Sequence, residues 1–267
     1  MKAREIIAAI ETFAPLSLQE KWDNSGLCIG SPEDEIRDVM VGFDCTPSLI
    51  DKALAAGCNM VVTHHPLIFG GIKTITPEDP VGQAVIKAVR GSVAVYAAHT
   101  TADKVPAGVS GAMARRLGLD HLSVLDPEGT RFLSGEDTPV GLGMVGDWPE
   151  ALSCEEALAR VKEAFGLKLV RCSRFTDTPI RRVALCGGSG SSLIGAALAA
   201  GAQLYLSGDI SYHHFFTPEG FVLMDIGHFE SEVEIVDVLY SLIKKKFPTF
   251  AVRISKTLKD SNPIQYL

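Results

Sequence analysis

The chain carries one supersecondary pattern twice, and a duplicated unit restricts the fold more than any single motif does. Ser48-Leu49-Ile50, followed by Ala53, Ala55, Ala56 and Gly57, returns as Ser192-Leu193-Ile194 followed by Ala197, Ala199, Ala200 and Gly201. After each block comes an apolar run with a polar end. Asn59-Met60-Val61-Val62-Thr63-His64-His65 aligns with Gln203-Leu204-Tyr205-Leu206-Ser207-Gly208-Asp209. A Gly-led apolar run then leads into His99-x-x-x-Asp103 in one copy and His228-x-x-x-Glu232 in the other. Residues at this spacing share one face of a helix or of its entry turn, so each copy presents an imidazole and a carboxylate together. Two such units can pack about a pseudo-dyad and bring both ends of the sequence to one polar site.

Strands alternating with helices predict an α/β fold with parallel or mixed sheets, built as two similar units by internal duplication. Ile6, Ile7, Ile10 and Phe13 at helical spacing predict a helix over 3–14. Val39 to Phe43 reads as a buried strand, Thr46-Pro47 as N-cap and first helical residue, and Gly57 as the stop. Met60 to Thr63 is the next strand and delivers His64 and His65; a helix near 81–90 precedes a strand at 93–97. Asp126 to Gly135 and Thr176 to Pro179 are turn-rich and bracket a middle segment. That segment reads as a strand at 139–145, a helix opening on the Ser153/Glu156 capping box and a strand near 167–172. The second copy begins at Arg182, with a strand at 183–186, a helix at 191–200, strands at 203–207 and 221–225, and a helix at 230–246. Phe250 to Ile254 forms a last short strand. The expected division is a first unit over 1–125, with 226–267 packing back on it, and a second over 126–225.

Composition narrows the function classes. A length of 267 residues, 46% of them apolar, suffices for one large core or two small ones. The net charge of −7 argues against a general binder of nucleic acid or of a membrane surface, both of which are negative. No apolar stretch approaches the roughly 20 residues of a spanning helix, and the N-terminus lacks a signal-peptide core. Six cysteines without a C-x-x-C pair read as reduced thiols. A cytoplasmic protein is the expectation.

The chemistry concentrates in imidazoles and carboxylates. His64-His65-Pro66 ends a strand, where open α/β sheets place their sites. Neighbouring side chains on extended backbone diverge, and Pro66 restrains His65 to that geometry, so the two rings are expected to serve different ions. Two His/acid pairs at matching places in two repeats extend the set to His64, His65, Asp103, His228 and Glu232. His99 either binds metal itself or donates a hydrogen bond that orients Asp103 or a metal-bound water. His213 is a candidate for the surrounding layer, and Asp209, which aligns with His65, either supports the site or caps a loop. Three imidazoles and two carboxylates cannot saturate two ions without bridging ligands or water, so open positions point to catalysis or substrate binding. Two ions held about 3.5–4 Å apart would share and activate a water. The mixed N/O ligands suit Zn, Mn, Fe, Co or Ni equally. Trp22-Asp23-Asn24-Ser25-Gly26 either lines this site or makes a tight loop. Gly187-Gly188-Ser189-Gly190-Ser191 is a strand-to-helix turn that could cradle an anion, but it matches neither a dinucleotide fingerprint, a P-loop nor a nucleophile elbow.

Six ordered motifs carry a family resemblance. Glu20-Lys21-Trp22-Asp23-Asn24-Ser25-Gly26, Thr63 through Phe69, Ala98-His99-Thr100 through Asp103, Cys186 through Gly190, Ser207-Gly208-Asp209 through His213, and Gly227-His228 through Glu232 resemble the type 2 homologues of GTP cyclohydrolase I, the NGG-interacting-factor-like family. The resemblance covers nearly the whole chain. It implies two similar intertwined α/β domains, a dinuclear metal centre and a toroidal homohexamer whose sites face an internal cavity. Carried over, the family's metal ligands fall on His64, His65, Asp103, His228 and Glu232. The chain is similar to the short form, because 126–180 is too short for an inserted domain. Thr101-Ala102 replaces a more usual Asn-Leu type pair, and Ser211 stands where Lys is common, which could alter substrate contacts.

The expected activity is metal-dependent hydrolysis of a nucleotide-like or phosphorylated small molecule, with His99 or His213 as proton carriers. Opening of the guanine ring of GTP is the specific form the family name suggests. The alternative is a non-enzymatic metal-handling ring or adaptor. Nucleic-acid threading is disfavoured by the acidic charge.

Overall fold

Short runs of Val, Met, Ala and Leu, buried on both sides, form the central strands, and amphipathic helices supply their cover. The computed structural model describes residues 1–133, 135–254 and 262–266. In chain order the first stretch holds α1 (Ala3–Phe13), β1 (Gly26–Ile29), β2 (Val39–Gly42), α2 (Pro47–Ala55), β3 (Met60–Thr63), α3 (Pro80–Arg90), β4 (Ala94–Ala97) and α4 (Thr100–Asp103). There follow α5 (Val109–Arg116), β5 (Asp120–Leu133), β6 (Glu136–Leu152), α6 (Cys154–Phe165), β7 (Arg171–Cys172), β8 (Ile180–Ser189), α7 (Ile194–Ala199), β9 (Leu204–Gly208), β10 (Val222–Asp225) and α8 (His228–Glu232). The chain ends through α9 (Ile235–Lys246) and β11 (Val252–Ile254).

The chain divides into two compact units, Met1–Ala102 with Ile235–Leu267, and Asp103–Glu234. The division thus lies at 102/103 and 234/235, not at the expected 125/126 and 225/226. Unit one is a five-stranded sheet ordered β1-β4-β3-β2-β11, in which β4, β3, β2 and β11 run parallel and β1 is antiparallel. Met40, Val61 and Val95 on one face meet Leu49, Ile50 and Ala53 of α2 and Ala84, Val85 and Ala88 of α3. Thr46 caps α2 by accepting from the Leu49 amide, Pro47 takes the first helical position, and Gly57 turns left-handed just beyond, as predicted. Helix α9 packs against α1 and β2.

Unit two holds a six-stranded mixed sheet ordered β5-β6-β8-β9-β10-β7, with β8, β9 and β10 parallel. Alternate residues feed two cores. Val183, Leu185, Leu204, Leu206, Val222 and Met224 pack with α5 and α6 around the buried Trp148. Ala184, Tyr205 and Leu223 pack with Leu193 and Ala197 on the other face.

The duplication is plain in the topology. Order β1-β4-β3-β2 in one unit matches β7-β10-β9-β8 in the other, and each outer strand is antiparallel. Helices α1 and α6 occupy the same place before those outer strands, so the second copy starts near Ser153 and not at Arg182. Three expectations about elements are corrected. Asp126 to Leu133 is not turn: it belongs to β5, which pairs with β6 and is bulged at Pro127/Gly129, and the turn expected there is kept only at Gly135 among the described residues. The strand expected at 167–172 shortens to Arg171–Cys172. The helix expected at 230–246 breaks between α8 and α9, at the border of the two units. Among the described residues no helix is long and apolar enough to cross a membrane.

Candidate metal centre

Parallel register puts the C-terminal ends of β2, β3 and β4 side by side, with Gly42, Thr63 and Ala97 aligned. The chain emerges from these ends as Phe43-Asp44, His64-His65 and Ala98-His99, so one edge of unit one collects three imidazoles and an acid. Antiparallel β1 begins opposite Ala97, which brings the preceding loop, with Asp23, to the same edge. Ligand atoms of His64, His65 and His99 all lie within 4.8 Å of one another.

The adjacent histidines do not splay apart as an extended chain would require. The amides of His64 and His65 both donate to the Phe43 carbonyl, at 3.1 and 3.2 Å, so the chain bends as it leaves β3. Successive amides of a strand point in opposite directions; here they point the same way, and the ring centroids approach to 4.8 Å.

Each ring is held at Nδ1. His64, fully buried and stacked on Phe43, donates to the Ala98 carbonyl at 2.9 Å. His65 Nδ1 is 2.7 Å from Asp44 Oδ1, and His99 Nδ1 is 2.7 Å from Asp23 Oδ1. Asp23 also accepts from Ser25, from the Asn24 amide and from both the amide and hydroxyl of Thr100. Burial by itself would raise the Asp23 carboxyl, but the hydrogen bonds from His99, Thr100 and Ser25 outweigh it and hold the group well below the usual carboxylate range. The Trp22–Gly26 segment is therefore both a tight loop and part of the cluster.

Unit two repeats the arrangement with more oxygen. Strand β9 ends at Gly208, and Asp209 takes a left-handed φ of +52°, which acids tolerate better than most residues. Its Oδ2 is 2.7 Å from Nδ1 of His228, at the start of α8. One turn on, Glu232 Oε2 lies 3.0 Å from Nε2 of the same ring. A carboxylate oxygen of Asp103 lies within 4.8 Å of one of Glu232. Glu232 is buried, and glycines make its room. A Cβ on Gly188 would overlap its Oε1, and one on Gly208 would sit 2.8 Å from the His228 backbone.

The glycine turn 187–190 does not cradle an anion. Its amides at 187, 188 and 190 donate to the hydroxyls of Ser110, Ser231 and Ser207, so the turn is tied inward. Burial first, and then the charges of Asp103 and Glu232, push the Cys186 thiol up to about 12. His213 sits exposed in a short 3-10 turn, edge-on to Tyr212 at 5.4 Å, and joins neither cluster.

These groups suit a divalent ion. Hydrogen bonding at Nδ1 fixes the tautomer whose Nε2 carries the lone pair, the usual setting of a metal-ligating histidine. Two ligand atoms on one tetrahedral ion, each at about 2.0–2.2 Å, lie about 3.4 Å apart. The 3.0 Å between His228 Nε2 and Glu232 Oε2 is close to that spacing. Asp44 was not legible as a participant in the sequence. Its one signal is its place directly after a parallel strand.

A family model described as Duf34/NIF3 (NGG1p interacting factor 3) matches residues 1–263. A Clostridium perfringens protein named GTP cyclohydrolase 1 type 2 homolog is 30% identical over 100% of both chains. A protein of the same name from Clostridium acetobutylicum is 33% identical over 90% of this chain and 88% of its own. Among solved structures, reduced HcgD from Methanocaldococcus jannaschii superposes with a TM-score of 0.78 at 28% identity, over 96% of this chain and 98% of its own. A Bacillus cereus protein related to NIF3 has the same fold, with a TM-score of 0.88 over 100% of this chain and 99% of its own at 23% identity.

Proposed function

The chain belongs to the DUF34/NIF3 family, and on that premise we propose that its two clusters serve one dinuclear metal centre of a hydrolase. The substrate class is a nucleotide-like or phosphorylated small molecule. His64, His65, Asp103, His228 and Glu232 would hold two divalent ions, drawn from Zn, Mn, Fe, Co or Ni. The observation that carries this reading is the grip on all four imidazoles at Nδ1, three by a carboxylate and one by a carbonyl. Such anchoring orients rings for ligation and raises their basicity.

Ions bound there would supply Lewis-acid polarisation and a lowered water pKa. The two carboxylates leave part of the ions' charge uncancelled, which favours an anionic substrate even on an acidic chain. His99 is the proton carrier in this reading, because Asp23 fixes its ring. His213, exposed beside Tyr212, is suited to touch substrate. The names of the relatives make a guanine nucleotide the first compound to try. A cytoplasmic homohexamer completes the proposal, on the strength of the family resemblance.

Elemental analysis of zinc- or manganese-loaded protein should find two ions per chain, with fewer in His65→Ala and Glu232→Ala. Turnover of nucleotides or phosphoesters should require the ion and vanish in both variants. Tight uptake without turnover of any compound would replace the hydrolase with a metal-handling protein. Failure to take up metal would remove the centre itself.

A further inference from the structure

Two large aromatic rings stand in solvent beside the imidazoles of unit one. Trp22 is 59% exposed and Phe69 56% exposed. Their centroids are 5.8 Å apart at 47°, and each lies 5.9 Å from the His99 ring, at 74° and 66°. Three rings thus form an open, angled wall with His99 at its base.

The exposure is built into the backbone. Trp22 is followed by Asp23, whose side chain is fully buried and takes bonds from Asn24, Ser25, His99 and Thr100. Phe69 follows Ile68, whose carbonyl accepts from the Asn24 side chain at 2.6 Å. Both segments are therefore tied to the same anchored loop. Single exposed apolar residues are ordinary on a protein surface. A pinned pair of rings touching a member of a metal-type cluster calls for a specific partner.

We propose that Trp22 and Phe69 form the stacking platform for a planar heteroaromatic ring of the substrate, held next to His99. The inference rests on the reading of the imidazole cluster as a reaction centre, and narrows its substrate class to compounds that carry a planar heteroaromatic ring, a purine being the probe of choice. Aromatic faces accept such rings without sequence-like selectivity, since every base has a π-face. The occupant is a small molecule and not a second copy of the chain, because the platform is continuous with the imidazole that would serve the chemistry. Unit two offers a parallel: the segment after β9 carries exposed Tyr212 and Phe216, with ring centroids 5.5 Å apart.

The tryptophans make the test direct. Trp148 is fully buried and gives a constant background, so accessible fluorescence reports Trp22. Zinc-loaded full-length protein should show saturable quenching by AMP and GMP, and none by ribose 5-phosphate. Calorimetry should find both nucleotides bound about 5- to 100-fold more weakly by Trp22→Ala and by Phe69→Ala, the range expected for one lost base stack. Zinc stoichiometry should be unchanged in both variants, which separates the platform from the centre. Equal binding of GMP and ribose 5-phosphate, or no loss in either variant, would overturn the proposal. So would a Trp22 already shielded from acrylamide in the free protein, which would mean that another chain covers it. A wild type that takes up no zinc yet stacks purines through Trp22 would instead overturn the reading of the centre and leave the platform.

Discussion

Replacing Gly188 by alanine tests whether the glycine turn exists to admit Glu232. Gly188 has a φ of +61°, and a Cβ there would overlap Oε1 of Glu232 and lie 2.9 Å from its Cδ and 3.3 Å from Cε1 of His228. Carbons in ordinary contact sit about 3.5–4.0 Å apart, so the carboxyl carbon would retreat by roughly 0.6 Å or more. The left-handed backbone adds about 1–2 kcal/mol of strain for any residue that has a Cβ. Gly201 supplies the control, with a φ of +73° and nothing within 4 Å of an added methyl. Both alanine variants should therefore lose about 1–2 kcal/mol, on the order of 2–8 °C in Tm for a chain of this size.

Only Gly188→Ala should also lose affinity for a divalent ion. A carboxylate bond to zinc of about 2.0–2.2 Å does not stretch by half an ångström. Changes to the groups that support metal ligands weaken affinity about 10–100-fold, and a displaced ligand should reach the upper end of that range. Zinc titration by calorimetry, beside thermal melts of both variants, reads the two effects separately. If Gly188→Ala and Gly201→Ala bound zinc equally, the steric argument would fail, and with it the proposed role of Glu232 as a ligand.

Other perturbations probe the same architecture. Asp44→Asn and Asp209→Asn should each weaken zinc binding about 10–100-fold while the fold is kept, as measured by titration and circular dichroism. Asp23→Asn should lower Tm at neutral pH. Because the folded carboxyl is depressed, its stabilisation is present above the ordinary value of about 3.9 and fades as pH falls below it, so the Tm gap to wild type should close in acid; a constant gap would contradict this. Burial pushes Cys28 and Cys172 up to about 11, so the thiol form favours the fold, and that contribution is lost as pH climbs from about 8.5 through the folded value. Labelling of native protein at pH 8 should accordingly be slow and should accelerate on unfolding. Trp148→Phe leaves the Leu117 carbonyl without its indole donor, 3.0 Å away in the native fold, and should cost about 1–3 kcal/mol in chemical denaturation.

Local signals explain which parts could be read in advance. Caps at Thr46 and Ser153, the apolar runs of β3, β4, β9 and β10, and the His/acid spacing are properties of contiguous residues; the caps place helices, and the runs and the spacing place candidate ligands at strand ends and helix starts. The missed parts depend on distant partners. Asp44 and Asp23 act on histidines 21 and 76 residues away; no flanking pattern marks Asp44, and the Trp22–Gly26 motif singles out the loop of Asp23 without showing which histidine it grips. The bend at His64-His65 comes from the Phe43 carbonyl, again outside the motif. Strand β5 is mostly exposed and contains Asp126-Pro127-Glu128-Gly129, so neither alternation nor composition reveals it; its pairing with β6 decides.

The duplicated units share topology but not donor chemistry, and that difference bears on the proposed function. The end of β3 carries His65, gripped by Asp44, while the matching end of β9 carries Asp209, which itself grips His228. In both units a carboxylate after one parallel strand grips an imidazole beyond the next: Asp44 after β2 holds His65 after β3, and Asp209 after β9 holds His228 after β10. Unit one offers three imidazoles, of which His64 and His65 are the proposed ligands, and unit two offers His228 with the acids Asp103 and Glu232. Imidazoles alone leave the whole charge of a divalent ion uncompensated, and buried carboxylates alone repel one another. A faithful duplication would have produced two like sets with one of these faults in each. In the proposed function the two sets are complementary: ions held by both would need fewer ligands from either, and the positions left open would be available to a substrate.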